Sequence, residues 1–150
     1  MISLRPITDA NRQEVEALRV SPAQEQFVSN VVESLHEAAE YPGAHAMYWA
    51  VYADETPVGF VMIADEVDSP DYTPQFLWKL LIDERHQGQG YGKATLDLIV
   101  EYFRGRPGVE AMTTSAVPGE GSPVTFYERY GFVRTGELHD GEVMLKLVLA

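Results

Sequence analysis

Residues 87–93 read Gln-Gly-Gln-Gly-Tyr-Gly-Lys, between an apolar run at 76–82 and a helical pattern. Three glycines at alternate positions leave the backbone of this turn bare. A bare backbone at a helix start can direct several N–H donors onto one phosphate group, so the segment predicts a phosphate-bearing ligand. The spacing narrows the choice. A nucleotide P-loop ending at Gly92-Lys93 would need glycine at Gln87 and a hydroxyl residue at Ala94, and has neither. The dinucleotide fingerprint fits Gly88 and Gly90 but meets Lys93 where its third glycine belongs. A Gln/Arg-x-x-Gly-x-Gly/Ala pattern is met at every specified position from Gln87 to Gly92.

The elements that must position this turn follow from periodicity and punctuation. Residues 2–7 read as a strand, and Thr8 or Asp9 can cap a helix running to Leu18. Ser21-Pro22 predicts the start of a second helix, with Phe27, Val28, Val31, Val32, Leu35, Ala38 and Ala39 on one face and Pro42-Gly43 at its end. Strands are expected at 46–53 and 58–64, joined by a hairpin at 54–57, and at 76–82, with an acidic loop at 65–74 between the last two. The glycine turn opens a helix with Leu96, Ile99, Val100 and Phe103 inward and Lys93, Asp97, Glu101 and Arg104 outward. A strand at 109–116, a short helix at 124–130 and strands at 132–138 and 142–149 complete the chain. Asp140-Gly141 signals a hairpin turn between the last two. The order predicts one mixed α/β (α+β) domain over residues 1–150.

The chain has 150 residues, 45% of them hydrophobic, enough for a core of its own. No stretch approaches the roughly 20 apolar residues of a membrane span, and no secretory signal is visible, so a cytoplasmic protein without membrane contact is expected. The absence of cysteine excludes disulfides, thiolate nucleophiles and cysteine-based zinc sites. Eleven basic against 23 acidic residues leave a formal charge of -12, which disfavours nucleic acid as a partner. Residues 79–106 carry five basic and four acidic side chains, the least acidic part of the chain. An anion at the glycine turn and a cation elsewhere would both suit that field.

The Gln87–Gly92 pattern resembles the acyl-CoA-binding motif of the GCN5-related N-acetyltransferase (GNAT) superfamily, and its context strengthens the likeness. Leu80-Leu81-Ile82 closes an apolar strand just before the loop, and Phe126-Tyr127-Glu128-Arg129-Tyr130-Gly131-Phe132 supplies the family's Tyr-Glu pair and following Gly-Phe. The element order matches over nearly the whole chain. The wording from Ile82 to Lys93, and the ending Thr135-Gly136-Glu137 to Asp140-Gly141-Glu142, are similar to the polyamine (spermine/spermidine) acetyltransferase-like branch. The resemblance implies a GNAT-like fold: a central, mostly antiparallel sheet of about seven strands with about four helices, splayed at the acetyl-CoA site.

It also implies a mechanism. Acetyl-CoA serves as acyl donor, and no metal is needed. Its pyrophosphate sits on the N–H groups of Gln87, Gly88, Gln89, Gly90, Tyr91, Gly92 and Lys93. Its pantetheine arm pairs with backbone near Leu80 and Ile82. An amine attacks the thioester directly, a backbone N–H near Leu81 or Ile82 stabilises the oxyanion, and Tyr127 stands at the general-acid position. Tyr127 could equally be a core aromatic three residues from Val124.

Two positions depart from the family pattern. The strand glutamate that often relays the amine's proton falls, counting four back from Ile82, on Trp78. An alkyl amine of pKa near 10.4 is almost fully charged at pH 7, a handicap of roughly 4–5 kcal/mol, so the missing base matters. Asp65, Glu66, Glu33, Glu37 or an ordered water could substitute. The loop before Tyr127 has no asparagine for the pantetheine arm, and Ser122 can take part of that role or simply cap the helix. The acceptor expected is a small-molecule amine, polyamine-like, held by Glu33, Glu37 and Glu40, by Asp65, Glu66, Asp68 and Asp71, and by an aromatic wall of Trp49, Tyr72 and Trp78. The same residues could instead form a solvated face and a core. An aminoglycoside-like or peptide amine, and a non-catalytic acetyl-CoA sensor, stay open as alternatives. Strand 142–149, read as an edge, could pair two copies into a homodimer.

Overall fold

A computed structural model describes residues 1–65 and 74–149. In chain order these form β1 (Ile2–Arg5), α1 (Arg12–Glu16), a 3-10 turn (Pro22–Gln24), α2 (Val31–Glu40), a second 3-10 turn (Pro42–Ala44), β2 (Ala46–Ala53), β3 (Thr56–Asp65) and β4 (Gln75–Ile82). A third 3-10 turn (Glu84–His86), α3 (Tyr91–Arg104), β5 (Ala111–Ala116), α4 (Val124–Tyr130), β6 (Val133–His139) and β7 (Glu142–Val148) follow. The strands make one seven-stranded sheet in the order β1-β2-β3-β4-β5-β7-β6. Only β4 and β5 pair in parallel. This is the mixed, mostly antiparallel architecture the sequence predicts. Among the described residues no helix is long and apolar enough to cross a membrane.

Beyond small shifts at element ends, three features differ from the sequence reading. The helix expected from Ser21 breaks into the Pro22–Gln24 turn and α2. The Asn30 side chain accepts from Glu33 N at 2.8 Å, and the Glu33 carboxylate accepts from Asn30 N at 3.1 Å. That reciprocal capping box restarts the helix nine residues late, with Asn30 rather than Ser21 as its cap. Val32, expected on the apolar face, is consequently half-exposed. The β2–β3 hairpin is tighter than residues 54–57, because Ala53 and Thr56 pair across a two-residue turn with Asp54 at φ 53°. Strand 142–149 is not an edge: β7 lies between β5 and β6, which leaves β6 and β1 as the outer strands.

Two apolar layers sandwich the sheet. On one face Leu96, Ile99, Val100 and Phe103 of α3 join Val124 and Tyr127 of α4 over Val61, Ile63, Leu77, Met112 and Leu145. The outward residues Lys93, Asp97, Glu101 and Arg104 are exposed, as the helical spacing requires. On the other face Val15, Val31, Leu35 and Ala38 of α1 and α2 pack on Ala50, Phe60, Met62 and Leu81.

The parallel contact between β4 and β5 is short. Phe76 pairs with Thr113 and Leu77 with Thr114, and there the ladder ends. β5 continues to Ala116 and β4 to Ile82, so the sheet forks. From residue 78 onward the β5-facing side of β4 has no strand partner among the described residues, and backbone groups left open in this way invite an added extended segment. A bulge on the opposite side, between Met62 and Ile63 of β3, inserts Trp78 as an extra residue of β4.

Candidate active site

The glycine turn resolves into two kinds of glycine. Gly88 and Gly90 have φ of 78° and 82°, the left-handed region that a side chain disfavours. Gly90 thereby becomes the N-cap of α3, and no side chain caps the first N–H groups of the helix, which have no partner within it. Gly92 has ordinary helical backbone, and a Cβ there would stand 3.1 Å from the Phe126 ring of α4. It is a close-approach glycine that lets α3 and α4 touch.

Two side chains hold the turn. Gln87 Nε2 donates to the Ile82 carbonyl at 2.8 Å and to Gln24 Oε1 at 2.9 Å, tying the loop back to the end of β4. Asp83 is buried and accepts from Arg19 N, Arg85 N and Arg85 Nε. Burial pushes its carboxyl up, but the Arg85 side chain and the two backbone donors outweigh it and hold the pKa below the ordinary carboxylate range.

A cleft of about 410 Å³ opens on this turn. It brings together Leu80, Ile82, Gln87, Gly88, Gly90, Tyr91, Gly92, Lys93, Ser122 and Tyr127. Of the residues read from sequence as donor-binding, Gln89 alone is outside the lining, and its side chain accepts from the Tyr91 hydroxyl at 3.2 Å. Ser122 Oγ donates to the Val117 carbonyl and accepts from Val124 N at 3.2 Å, so it fastens the start of α4. A larger groove of about 800 Å³ runs on between α3 and α4, shares Lys93 and Phe126 with the cleft, and carries Arg104 and Arg129.

A second cleft of about 300 Å³ lies on the other side of the fork, lined by Phe27, Val28, Ser29, Glu37, Trp78, Lys79, Ser115, Glu142 and Tyr127 among others. The two clefts share Val28, Leu80, Pro123 and Tyr127. Tyr127 is buried between the rings of Phe126 and Phe132, each centred 5.5 Å away. Burial raises its hydroxyl pKa to about 12, opposed by a hydrogen bond with Thr114.

The residues read as acceptor-binding separate. Glu37 and Trp78 line the second cleft, and Trp78 packs edge-on to Tyr41 at 6.3 Å. Glu33 faces a different depression and is engaged in the α2 capping box. Trp49 packs against Tyr102 at 6.0 Å in the core on the α3 side. Asp65 is ion-paired with Arg106 and accepts from Gln75 at 3.4 Å. Glu66, Asp68, Asp71 and Tyr72 lie outside the described residues.

Sequence reasoning missed two charged residues of the second cleft and one buried hydroxyl near them. Lys79 Nζ lies 3.1 Å from Glu37 Oε2 and donates to Ser29 Oγ at 3.0 Å. The bulge at Trp78 explains this: it turns two successive residues of β4 toward α2, which simple alternation does not anticipate. Glu142, on the opposite wall, accepts from Ser115 Oγ at 3.3 Å. Thr114, inside the fork, had no signal beyond a hydroxyl in a strand.

The sequence profile of the acetyltransferase (GNAT) family matches residues 12–132. A spermine/spermidine N(1)-acetyltransferase of Bacillus subtilis is 29% identical over 150 residues, covering 97% of each chain. Among solved structures, an aminoglycoside acetyltransferase in complex with coenzyme A superposes with a TM-score of 0.76 at 17% identity, over 99% of this chain and 95% of the other. The spermidine N-acetyltransferase of Vibrio cholerae, in complex with CoA and spermine, gives 0.69 at 14% identity over 99% and 95%. At these identities the two structures share the fold with this chain.

Proposed function

The chain belongs to the acetyltransferase (GNAT) family and is an N-acetyltransferase, and from that premise we propose that it moves the acetyl group of acetyl-CoA to a primary amine of a small, polyamine-like cation. The observation that carries this reading is the meeting of two clefts at one buried phenol. The glycine-turn cleft and the Glu37–Glu142 cleft share Tyr127 and Leu80, so a donor in one and an acceptor in the other would face each other there.

The residues present fit the donor. The turn's backbone is open at Gly88 and Gly90, the N-terminus of α3 favours negative charge, and β4 beyond Leu77 is free to pair with an extended arm. The groove along α3 and α4 can take the nucleotide end, with Lys93 and Arg129 as its cations. When bound, acetyl-CoA supplies the thioester carbon that the amine attacks. Tyr127 protonates the leaving sulfur. Its raised pKa keeps it protonated through neutral pH, as an acid must be. Among described residues of the acceptor cleft, Glu37 and Glu142 are the carboxylates, and Glu37 is already neutralised by Lys79. Glu142 is therefore the better counter-charge for a second ammonium of the acceptor, and supports a cationic substrate.

The test is release of CoA thiol from acetyl-CoA over a panel of diamines, triamines, tetramines, aminoglycosides and amino acids. Turnover highest with the linear polyamines is expected. Turnover confined to aminoglycosides or amino acids would reject the acceptor class, and acetyl-CoA binding without turnover of any amine would reject catalysis.

A further inference from the structure

The alternation of β5 places Met112, Thr114 and Ala116 on the face that packs under α3 and α4. Met112 and Ala116 are core residues. Thr114 stands between them at 1% exposure, where an apolar side chain would be the ordinary choice. A buried hydroxyl is tolerated only when its hydrogen-bonding capacity is used. Thr114 Oγ1 donates to the Leu77 carbonyl at 2.9 Å and is hydrogen-bonded with Tyr127. Leu77 and Thr114 are also the last Cα partners of β4 and β5. The phenol of the acid, the root of the fork and one hydroxyl thus form a single buried chain.

We propose that Thr114 is a positioning residue for Tyr127, whose hydroxyl holds the phenol at the root of the fork and turns to donate to the phenol oxygen as the acid gives up its proton. This rests on the reading of Tyr127 as general acid. A threonine hydroxyl has one proton and two acceptor sites. With its proton on the Leu77 carbonyl, its lone pairs are open to the Tyr127 hydroxyl, and its interaction with that group favours the ionised phenol. As the Tyr127 O–H bond breaks and an S–H bond forms on the leaving sulfur, the electron pair stays on the phenol oxygen. That oxygen, on a side chain only 6% exposed, then needs a donor. Rotation about the Thr114 Cβ–Oγ1 bond brings the proton from the Leu77 carbonyl to it, and no bond to that proton breaks. The acceptor nitrogen loses one proton as it becomes an amide, which through water restores the phenol.

The test compares Thr114→Val and Thr114→Ser, each in the wild-type and Tyr127→Phe backgrounds, with acetyl-CoA and spermidine as probes. Thr114→Val, close to isosteric, is expected to lower kcat by roughly tenfold or more with the acetyl-CoA KM within about twofold, since one buried hydrogen bond is lost in the chemical step alone. Thr114→Ser is expected to restore most of the rate. Thr114→Val on top of Tyr127→Phe should cost nothing further. Independently of any acceptor, NMR of 13Cζ-labelled tyrosine should show Tyr127 ionising at higher pH in Thr114→Val than in Thr114→Ser or wild type. Unchanged kcat in Thr114→Val, an equal loss in the serine variant, a full further loss in the Tyr127→Phe background, or an unmoved Tyr127 titration would each overturn the proposal. A wild-type rate in Tyr127→Phe alone would instead remove the acid itself.

Discussion

The Phe126 ring of α4 lies 3.1 Å from where a Cβ on Gly92 of α3 would stand, so these helices meet across a missing side chain. Phe126 also lines both the glycine-turn cleft and the groove beyond it. Gly92→Ala therefore asks Phe126 to give way by a few tenths of an ångström. Alanine gains about 0.8–1 kcal/mol of helix propensity over glycine, while overpacking costs typically 1–3 kcal/mol. We expect a small net loss of thermal stability and a several-fold rise in the acetyl-CoA dissociation constant by calorimetry. Unchanged binding would show that Phe126 moves freely and does not shape the cleft.

Gly90→Val is a harder change of a different kind. At φ 82° a β-branched residue is strained whatever the surrounding space, and nothing lies within 4 Å of the position its Cβ would take. The strain falls on the N-cap of α3, the point where N–H donors would converge on a pyrophosphate. We expect at least a tenfold loss of acetyl-CoA affinity with the fold retained by circular dichroism. Affinity within twofold of wild type would reject the loop as the phosphate site.

Tyr127 sets an expectation for the pH profile. Burial raises its pKa to about 12, so it stays protonated while an alkyl amine of pKa near 10.4 becomes free base. With tryptophan rather than a carboxylate at position 78, kcat/KM for the acceptor should climb through pH 9 without an alkaline fall from loss of the proposed acid. Tyr127→Phe should lower the rate by roughly 10²–10⁴-fold and leave the shape of the climb intact. A falling limb between pH 8 and 10 in wild type, absent in Tyr127→Phe, would contradict this environment for the phenol.

The geometry of the proposed donor half was legible in sequence because it is made of local rules. Glycines adopt positive φ at fixed spacing, a strand precedes them, a helix follows, and Gly90 behaves as the spacing demands. The proposed acceptor half was less legible because it is made of register. One bulge at Trp78 brings Lys79 round to Glu37, and a capping box at Asn30 withdraws Glu33 from the cleft. Neither event leaves a periodic trace. Glu142 is far from Glu37 in the chain and reaches the same cavity only because β7 sits inside the sheet, between β5 and β6.

Lys79 is an internal cation in the cleft proposed for the acceptor. Its ammonium is tethered, so against a free acceptor it competes for Glu37 at a high effective concentration. Lys79→Met removes that competitor and keeps the stem. We expect the KM for triamines and tetramines to fall several-fold, with a smaller change for a diamine. An equal change for all three would mean that Lys79 acts on the fold of α2 rather than on charge.

Asp83 links the glycine turn to the segment after α1 through Arg19 N and Arg85, and its folded pKa is depressed. A depressed carboxylate contributes stability that is fully present above its unfolded pKa, about 3.9, and is lost as pH falls through the folded value. Wild type should therefore keep its Tm down to about pH 4 and lose it more steeply below. Asp83→Asn removes charge-assisted bonds worth about 1.5–3 kcal/mol each, so its Tm at pH 7 should drop by several degrees. The variant should lack this residue's share of the acid loss. The fall in Tm should come with weaker acetyl-CoA binding, because the same carboxylate anchors the approach to Gln87. If Asp83→Asn instead melts like wild type at pH 7 and matches its acid profile, the ion pair with Arg85 is a surface ornament and the turn is held by Gln87 alone.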